Sequence, residues 1–147
     1  MNIKEYIKEQ RLITDGAMGT YYEEKYSEDT VIAEKENLKN PEQIKEIHLE
    51  YLRAGARLIR TNTFAANTMF LADMQEVKET VRAGYEIAKE AVTAFQAENG
   101  KEIPVFIGAD LGPIYDLDHQ DYDNVLQEYK EICDTFLSCG ADCFVFE

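Results

Sequence analysis

The chain has 147 residues, enough for one ordinary domain but well short of the roughly 250 residues of a closed (β/α)₈ barrel. Its 15 Lys and Arg residues against 29 Asp and Glu residues give a net charge of −14, which argues against nucleic acid and anionic lipid as partners. No apolar run reaches the ~20 residues of a membrane span, and the N-terminus lacks the apolar stretch of a signal peptide. We therefore expect a cytoplasmic protein.

The N-terminal quarter begins with a predicted amphipathic helix over residues 1–10, whose apolar face carries Ile3, Tyr6 and Ile7. Residues 11–15 predict a short strand that ends in the carboxylate of Asp15. Segment 15–20, with the sequence DGAMGT, predicts a turn bracketed by glycines. Residues 21–39 are polar with weak periodicity, which indicates little regular structure.

The middle of the chain alternates helix and strand. Asn40 and Pro41 form a typical helix start, with Asn as cap and Pro at the first helical position, and Gly55 ends this helix. Residues 56–64 predict a buried strand that ends in a Thr-Asn-Thr triplet. Residues 75–98 predict a long helix, and residues 103–109 predict the next strand.

The C-terminal part repeats this alternation, with a helix predicted over residues 122–138 and a strand over residues 143–147. Residues 52–60 and 137–145 are similar, since both pass from a helix end through Gly-Ala into an apolar strand. Repeated strand–helix units favour an α/β fold with about four parallel strands and intervening helices.

Polar side chains stand at the ends of the four predicted strands. Ligands gather at the carboxyl ends of parallel strands, so these residues predict a shared binding site. Each of them could instead cap a turn or satisfy loop backbone, and only the set favours function. The four residues are Asp15, Asn62, Asp110 and Glu147.

Segment 15–20 is the most informative motif. Its glycines allow consecutive amide N–H groups to face one concavity that binds an anion, while the adjacent Asp15 could bind an ammonium group. A free amino acid carries both charges. The alternative is a tight turn without a ligand, and the glycine spacing does not fit a phosphate-binding P-loop. The Gly112-Pro113 turn is explained by loop architecture alone.

The cysteines and histidines carry weaker signals. The spacings between Cys133, Cys139 and Cys143 miss the close pairs of structural zinc sites, so we expect no metal on them. Their odd number also argues against a disulfide framework. His48 on an apolar helix face and His119 in a polar loop lack the partners of a catalytic base.

Four ordered motifs together resemble the N-terminal half of the homocysteine S-methyltransferase family, which includes the homocysteine-binding module of methionine synthase and fusions with methylenetetrahydrofolate reductase. The motifs are DGAMGT at 15–20, Gly-Ala leading into IRTNTF at 59–64, Gly-Pro at 112–113, and Gly-Ala leading to the glutamate at 147. The similarity spans nearly the whole chain.

The resemblance implies a (β/α)₈ barrel that transfers a methyl group to the thiol of homocysteine, giving methionine. In the family, zinc on three cysteines binds this thiol as a thiolate, which makes it nucleophilic at neutral pH. Carried over, Asp15 and Glu147 would bind the ammonium group, and Asn62 would line the site. Backbone amides would bind the carboxylate, at Gly16, Ala17 and Met18.

The chain departs from the family pattern in two places. Arg60 stands where many relatives carry an acidic residue or Gln, and because it lies within a strand we expect no effect on function. The family's zinc cysteines lie in its second half, which this sequence does not reach.

We therefore expect residues 1–147 to form a partial homocysteine-binding barrel, cut at the fourth strand and inactive alone, with at most weak homocysteine binding. Methyltetrahydrofolate and methylcobalamin are the foremost candidate methyl donors, with betaine and S-methylmethionine also family options. Two alternatives stay open. One is a non-catalytic half-barrel that binds a small molecule or self-associates through open sheet edges. The other is a different barrel enzyme.

Overall fold

The structure is a computed structural model that describes residues 2–26, 32–100, 102–115 and 122–147. It has α/β architecture, with a short 3₁₀ helix at Ala33–Lys35. The strands are β1 (Leu58–Arg60), β2 (Phe106–Leu111) and β3 (Phe144–Phe146). The helices are α1 (Ile3–Glu9), α2 (Gly19–Tyr26), α3 (Glu36–Lys39), α4 (Pro41–Arg53), α5 (Met74–Asn99) and α6 (Tyr122–Ser138).

The three strands form a parallel sheet in the order β1-β2-β3, with Ile59 opposite Ile107 and Asp110 opposite Val145. The strand predicted at residues 11–15 is reduced to one parallel bridge between Thr14 and Leu58. This segment still runs beside β1, since the amide of Asp15 donates to the carbonyl of Leu58 at 3.0 Å. The expectation of four full strands is therefore wrong by this one element.

The predicted long helices are confirmed. α5 begins after Asp73, whose side chain accepts from the amide of Glu76 at 2.9 Å, and α6 has the predicted bounds. Asn40 precedes α4 but makes no capping bond, because its amide group donates to Glu36 at 2.6 Å instead.

The prediction of little regular structure over residues 21–39 is wrong. This segment contains most of α2, the 3₁₀ helix and α3, with Tyr22 fully buried. The helices are short, and several of their buried residues are polar, which weakens an apolar period. Asn37 shows the reason, because its side-chain amide donates to the carbonyls of Asn62 at 2.7 Å and Thr80 at 3.2 Å.

The two faces of the sheet differ. Ile59, Ala109 and Leu111 belong to the apolar clusters that α4, α5 and α6 form against one face. Side chains alternate along strands, so Arg60 and Asp110 lie on the other face. Among the described residues, no helix is long and apolar enough to cross a membrane.

Candidate amino-acid-binding site

A cavity of about 590 Å³ lies at the carboxyl ends of β1 and β2. Segment 15–20, the 3₁₀ helix and the turn after β1 contribute to its wall. Its charged lining residues are one arginine and five acids, namely Arg60 with Asp15, Glu23, Glu34, Asp110 and Glu147. All four predicted strand-end residues, the three acids and Asn62, therefore line a single cavity.

Segment 15–20 offers unused hydrogen-bond donors to this cavity. Among the described residues, no acceptor pairs with the amides of Gly16, Ala17 or Met18, and α2 begins at the next residue. A Cβ on Gly16 would stand 2.8 Å from the Tyr51 hydroxyl, which itself donates to the carbonyl of Ala17 at 2.8 Å. Glycine is thus needed where Tyr51 holds the turn. Free amides at a helix N-terminus favour an anion.

Arg60 binds the carboxylate of Asp15 twice. Its Nε donates to Oδ1 at 2.9 Å, and its backbone N–H donates to Oδ2 at 2.8 Å. Burial raises the pKa of Asp15, whereas the hydrogen bonds and the charge of Arg60 act to lower it.

The same guanidinium reaches two further groups. Its Nη1 donates to Glu147, and its Nη2 donates to the carbonyl of Gly16 at 3.1 Å. The guanidinium of Arg60 thus contacts both carboxylates that are expected to bind ammonium, those of Asp15 and Glu147. This geometry argues against the expectation that Arg60 has no effect on the site. Sequence reasoning missed this contact, although a cation within an apolar strand, flanked by acidic strand ends, is a usable signal.

Asn62 is buried at the cavity wall and bound to neighbouring segments. Its side-chain amide donates to the carbonyl of Ala33 at 2.9 Å and to Oδ1 of Asn37 at 2.8 Å. Both amide hydrogens are therefore used within the fold, and what Asn62 can offer a ligand is its carbonyl oxygen.

Asp110 is held by two threonine hydroxyls. Its N–H donates to Thr61 Oγ1 at 3.0 Å, and its carbonyl accepts from Thr63 Oγ1 at 2.7 Å. Its side chain has no such support, since Oδ1 is buried without a partner among the described residues. Burial raises the pKa of Asp110 to about 6, with Arg60 opposing this rise and Asp15 and Glu34 adding to it.

The Gly112-Pro113 turn closes one side of this region. A Cβ on Gly112 would stand 2.3 Å from the carbonyl oxygen of Phe64, to which the Gly112 amide donates at 3.2 Å. The hydroxyl of Tyr129 accepts from the amide of Ile114 and donates to the carbonyl of Gly112. The turn therefore has a structural function, as the sequence indicated.

The cysteines are partly buried in α6 and in the segment leading to β3. Burial raises the pKa of Cys133 and of Cys143, which disfavours their thiolates. Within the described ranges, no group of three or more His, Cys, Asp and Glu side chains could hold a metal. The described residues thus do not fit a metal centre.

His48 is not among the described residues that line the cavity. His48 is fully buried in α4, and neither ring nitrogen has a hydrogen-bond partner among the described residues. Burial lowers its pKa to about 4. His119 lies outside the described residues.

Comparison with known proteins gives one consistent result. The chain is 32% identical over 112 residues to homocysteine S-methyltransferase of Escherichia coli (strain K12), which covers 72% of this chain and 36% of that protein. It is 27% identical over 160 residues to methionine synthase of Mycobacterium leprae (strain TN), which covers 99% of this chain and 13% of that protein. The chain thus spans about a third or less of the curated relatives that it matches.

Solved structures give the same family name. The metallated form of homocysteine methyltransferase MmuM from Escherichia coli superposes with a TM-score of 0.77 and 26% identity, covering 96% of this chain and 55% of that chain. Its apo form superposes with a TM-score of 0.75 and 29% identity, covering 94% and 49%.

The sequence model of homocysteine S-methyltransferases matches residues 12–147, which is nearly the whole chain. This match contains segment 15–20, the turn after β1, and the residues that line the cavity. The chain therefore belongs to the homocysteine S-methyltransferase family.

Proposed function

We propose that this chain is the N-terminal half of a homocysteine-binding (β/α)₈ barrel and supplies the amino-acid-binding part of its site. The observation that supports this most is one cavity lined both by acidic side chains and by segment 15–20, whose amides at residues 16–18 have no acceptor among the described residues. An amino acid presents an ammonium and a carboxylate, and this cavity has a complement for each.

In this proposal, the amides of Gly16, Ala17 and Met18 bind the carboxylate of homocysteine. Asp15 and Glu147 lie on the ammonium side, and Asn62 presents its carbonyl oxygen to the ligand. Because Arg60 binds both carboxylates, an incoming ammonium group must share them with the guanidinium.

The reaction of the complete protein would be methyl transfer to the thiol of homocysteine, giving methionine. The family uses zinc to bind this thiol, and the described residues of this chain offer no metal centre. We therefore propose that zinc ligands and the methyl-donor site, for methyltetrahydrofolate or methylcobalamin, belong to the rest of a longer cytoplasmic protein. The chain alone would bind homocysteine weakly and would not turn over.

The test is a titration of the 147-residue chain with L-homocysteine under reducing conditions, followed by amide NMR spectra. We expect weak binding, with shifts concentrated in segment 15–20. Cysteine serves as a comparison ligand that is one methylene shorter than homocysteine. γ-Mercaptobutyrate serves as a comparison ligand that lacks the amine of homocysteine. Absence of shifts around the cavity would contradict the proposal. The proposal that the chain alone is inactive would be contradicted if it transferred methyl groups at an ordinary rate when supplied with zinc and methyl donors.

A second candidate function is a non-catalytic half-barrel that self-associates. It is favoured by β3, which pairs only with β2 among the described residues and whose Phe146 is 65% exposed. An exposed apolar edge strand can pair with another chain. Sedimentation velocity over a range of concentrations tests it, and a monomer at every concentration would exclude this candidate.

A further inference from the structure

Asp110 has a main chain that is hydrogen-bonded on both sides and a carboxyl oxygen, Oδ1, without a hydrogen-bond partner among the described residues. Thr61 and Thr63 use their hydroxyls on its amide and carbonyl, and these hydroxyls also bond to each other at 2.6 Å. The main chain is therefore fixed on both sides of the residue. The carboxyl group receives none of these bonds, although only 4% of the residue is exposed.

Three other acids of the cavity have partners. Asp15 and Glu147 bind the guanidinium of Arg60, and Oε1 of Glu34 accepts from the amide of Ala65 at 2.8 Å. Oδ1 of Asp110, in contrast, has no hydrogen-bond partner among the described residues. A buried carboxylate without a hydrogen-bond partner destabilises the fold. A ligand that supplies such a partner removes this cost and therefore binds more tightly.

We propose that Asp110 binds the ammonium group of the amino acid in this cavity and distinguishes amino acids from amine-free acids. This inference rests on the proposed function and deepens it by naming the group that the ammonium contacts. Asp15 and Glu147 share the single cation of Arg60, whereas Oδ1 of Asp110 has no hydrogen-bond partner among the described residues. An ammonium ion would supply the partner that the Asp110 carboxylate lacks. A neutral thiol would gain much less from the same contact.

The pH dependence of binding follows from the surroundings of this carboxyl group. It faces the cation of Arg60 on β1 and shares the cavity with acids from several other segments, namely Asp15, Glu23, Glu34 and Glu147. With the pKa of Asp110 at about 6, the carboxylate predominates at neutral pH and is protonated in acid. Affinity for the ammonium should then fall by about tenfold for each pH unit below this pKa.

The test compares the full chain with Asp110→Asn by NMR titration, using L-homocysteine and γ-mercaptobutyrate between about pH 5 and pH 7. In the unsubstituted chain we expect homocysteine affinity to fall by roughly tenfold across the acid limb. In Asp110→Asn it should be weaker by about tenfold at neutral pH and independent of pH, with γ-mercaptobutyrate affinity unchanged in both proteins. Glu24→Gln is the control, since Glu24 is an exposed acid of α2 that is not among the described lining residues of the cavity, and it should behave as the unsubstituted chain.

A second measurement does not depend on a variant. The carboxyl carbon of Asp110 is followed by NMR through a pH titration, and homocysteine should lower its apparent pKa whereas γ-mercaptobutyrate should not. Homocysteine binding with an unchanged carboxyl titration, or with equal pH dependence in Asp110→Asn, overturns the inference and leaves the proposed function standing. Failure of homocysteine to bind at any pH overturns the proposed function and this inference with it.

Discussion

Arg60 contacts Asp15 through both its side chain and its main chain, with Nε bound to Oδ1 at 2.9 Å and the backbone N–H bound to Oδ2 at 2.8 Å. The side chain of Asp15 is only 4% exposed. The two segments are joined in the sheet by a single bridge, between Thr14 and Leu58. This contact therefore fixes the start of segment 15–20 to the end of β1.

Replacing Arg60 by Met should destabilise the chain by about 1–3 kcal/mol at neutral pH. The change leaves the carboxylate of Asp15 buried with the backbone bond alone. Burial already raises the pKa of Asp15, and loss of the cation should raise it further. The loss should thus shrink in acid, where Asp15 is protonated in both proteins. Urea unfolding at neutral and acid pH measures it.

Arg53→Met is the matched control for this variant. Arg53 also forms a double contact with a carboxylate, that of Glu98, but both side chains are more than two-fifths exposed. Exposed ion pairs contribute about 0–1 kcal/mol, so this variant should change the free energy of unfolding little. Equal losses in the two variants would show that Arg60 acts as an ordinary surface cation.

The long helices were predictable from the sequence because the spacing of their apolar residues determines them locally. α6 has the predicted bounds because its apolar spacing persists over 17 residues, and α5 is confirmed for the same reason. Segment 21–39 was missed because its buried contacts are polar, as with Asn37, and a polar residue gives no apolar period. The parallel sheet was predicted from the repeated strand–helix unit, and the structure confirms it.

The site was predictable in position but not in its charge balance. The strand-end pattern brought Asp15, Asp110 and Glu147 to one cavity. The part played by Arg60 depends on residues 45 and 87 positions away, at a distance that only the folded chain sets. Similarly, no local signal tells that the threonines bind the backbone of Asp110 rather than its carboxyl group.

Replacing Gly84 by Ala should destabilise the chain by about 1–3 kcal/mol, although Ala is favoured over Gly within a helix by about 1 kcal/mol. A Cβ there would stand 2.8 Å from the side-chain nitrogen of Asn37 and 2.8 Å from Cγ2 of Thr63. It would therefore push α5 away from the turn after β1. Thermal and urea unfolding measure the loss.

Gly19→Ala is the control for Gly84→Ala, because a Cβ at Gly19 meets nothing within 4 Å and the residue also lies in a helix. It should be neutral or slightly stabilising. If both variants gained stability, close packing at Gly84 would be excluded as the reason for glycine there.

Replacing Asp110 by Asn should stabilise the chain at neutral pH. Burial raises the pKa of Asp110 from 3.8, its ordinary value, to about 6. An acid with a raised pKa lowers stability as pH rises from its unfolded pKa to its folded pKa, here by a few kcal/mol at most. The amide removes this loss, so the advantage of Asp110→Asn should vanish near pH 4. Asp142→Asn, at an exposed position, is the control and should change the free energy of unfolding little.

Replacing His48 by Leu should stabilise the chain in acid. The pKa of His48 is about 4 in the fold against 6.5 for the unperturbed group, because its buried ring cannot be charged without losing solvation. A base with a lowered pKa supports folding fully above its unfolded pKa, and this support is lost as pH falls toward its folded pKa. In acid, His48 should therefore lower the free energy of unfolding by up to roughly 3 kcal/mol, and the Leu variant should not show this decrease.

The slope from His48 opposes the slope from Asp110, since stability rises with pH through the first group and falls through the second over overlapping ranges. Unfolding curves of the unsubstituted chain should therefore show only a shallow dependence between about pH 4 and pH 6. Each single variant should uncover the slope of the other group, steeply falling with pH in His48→Leu and steeply rising in Asp110→Asn. Two variants with slopes of the same sign would contradict the assignment of one or both titrations.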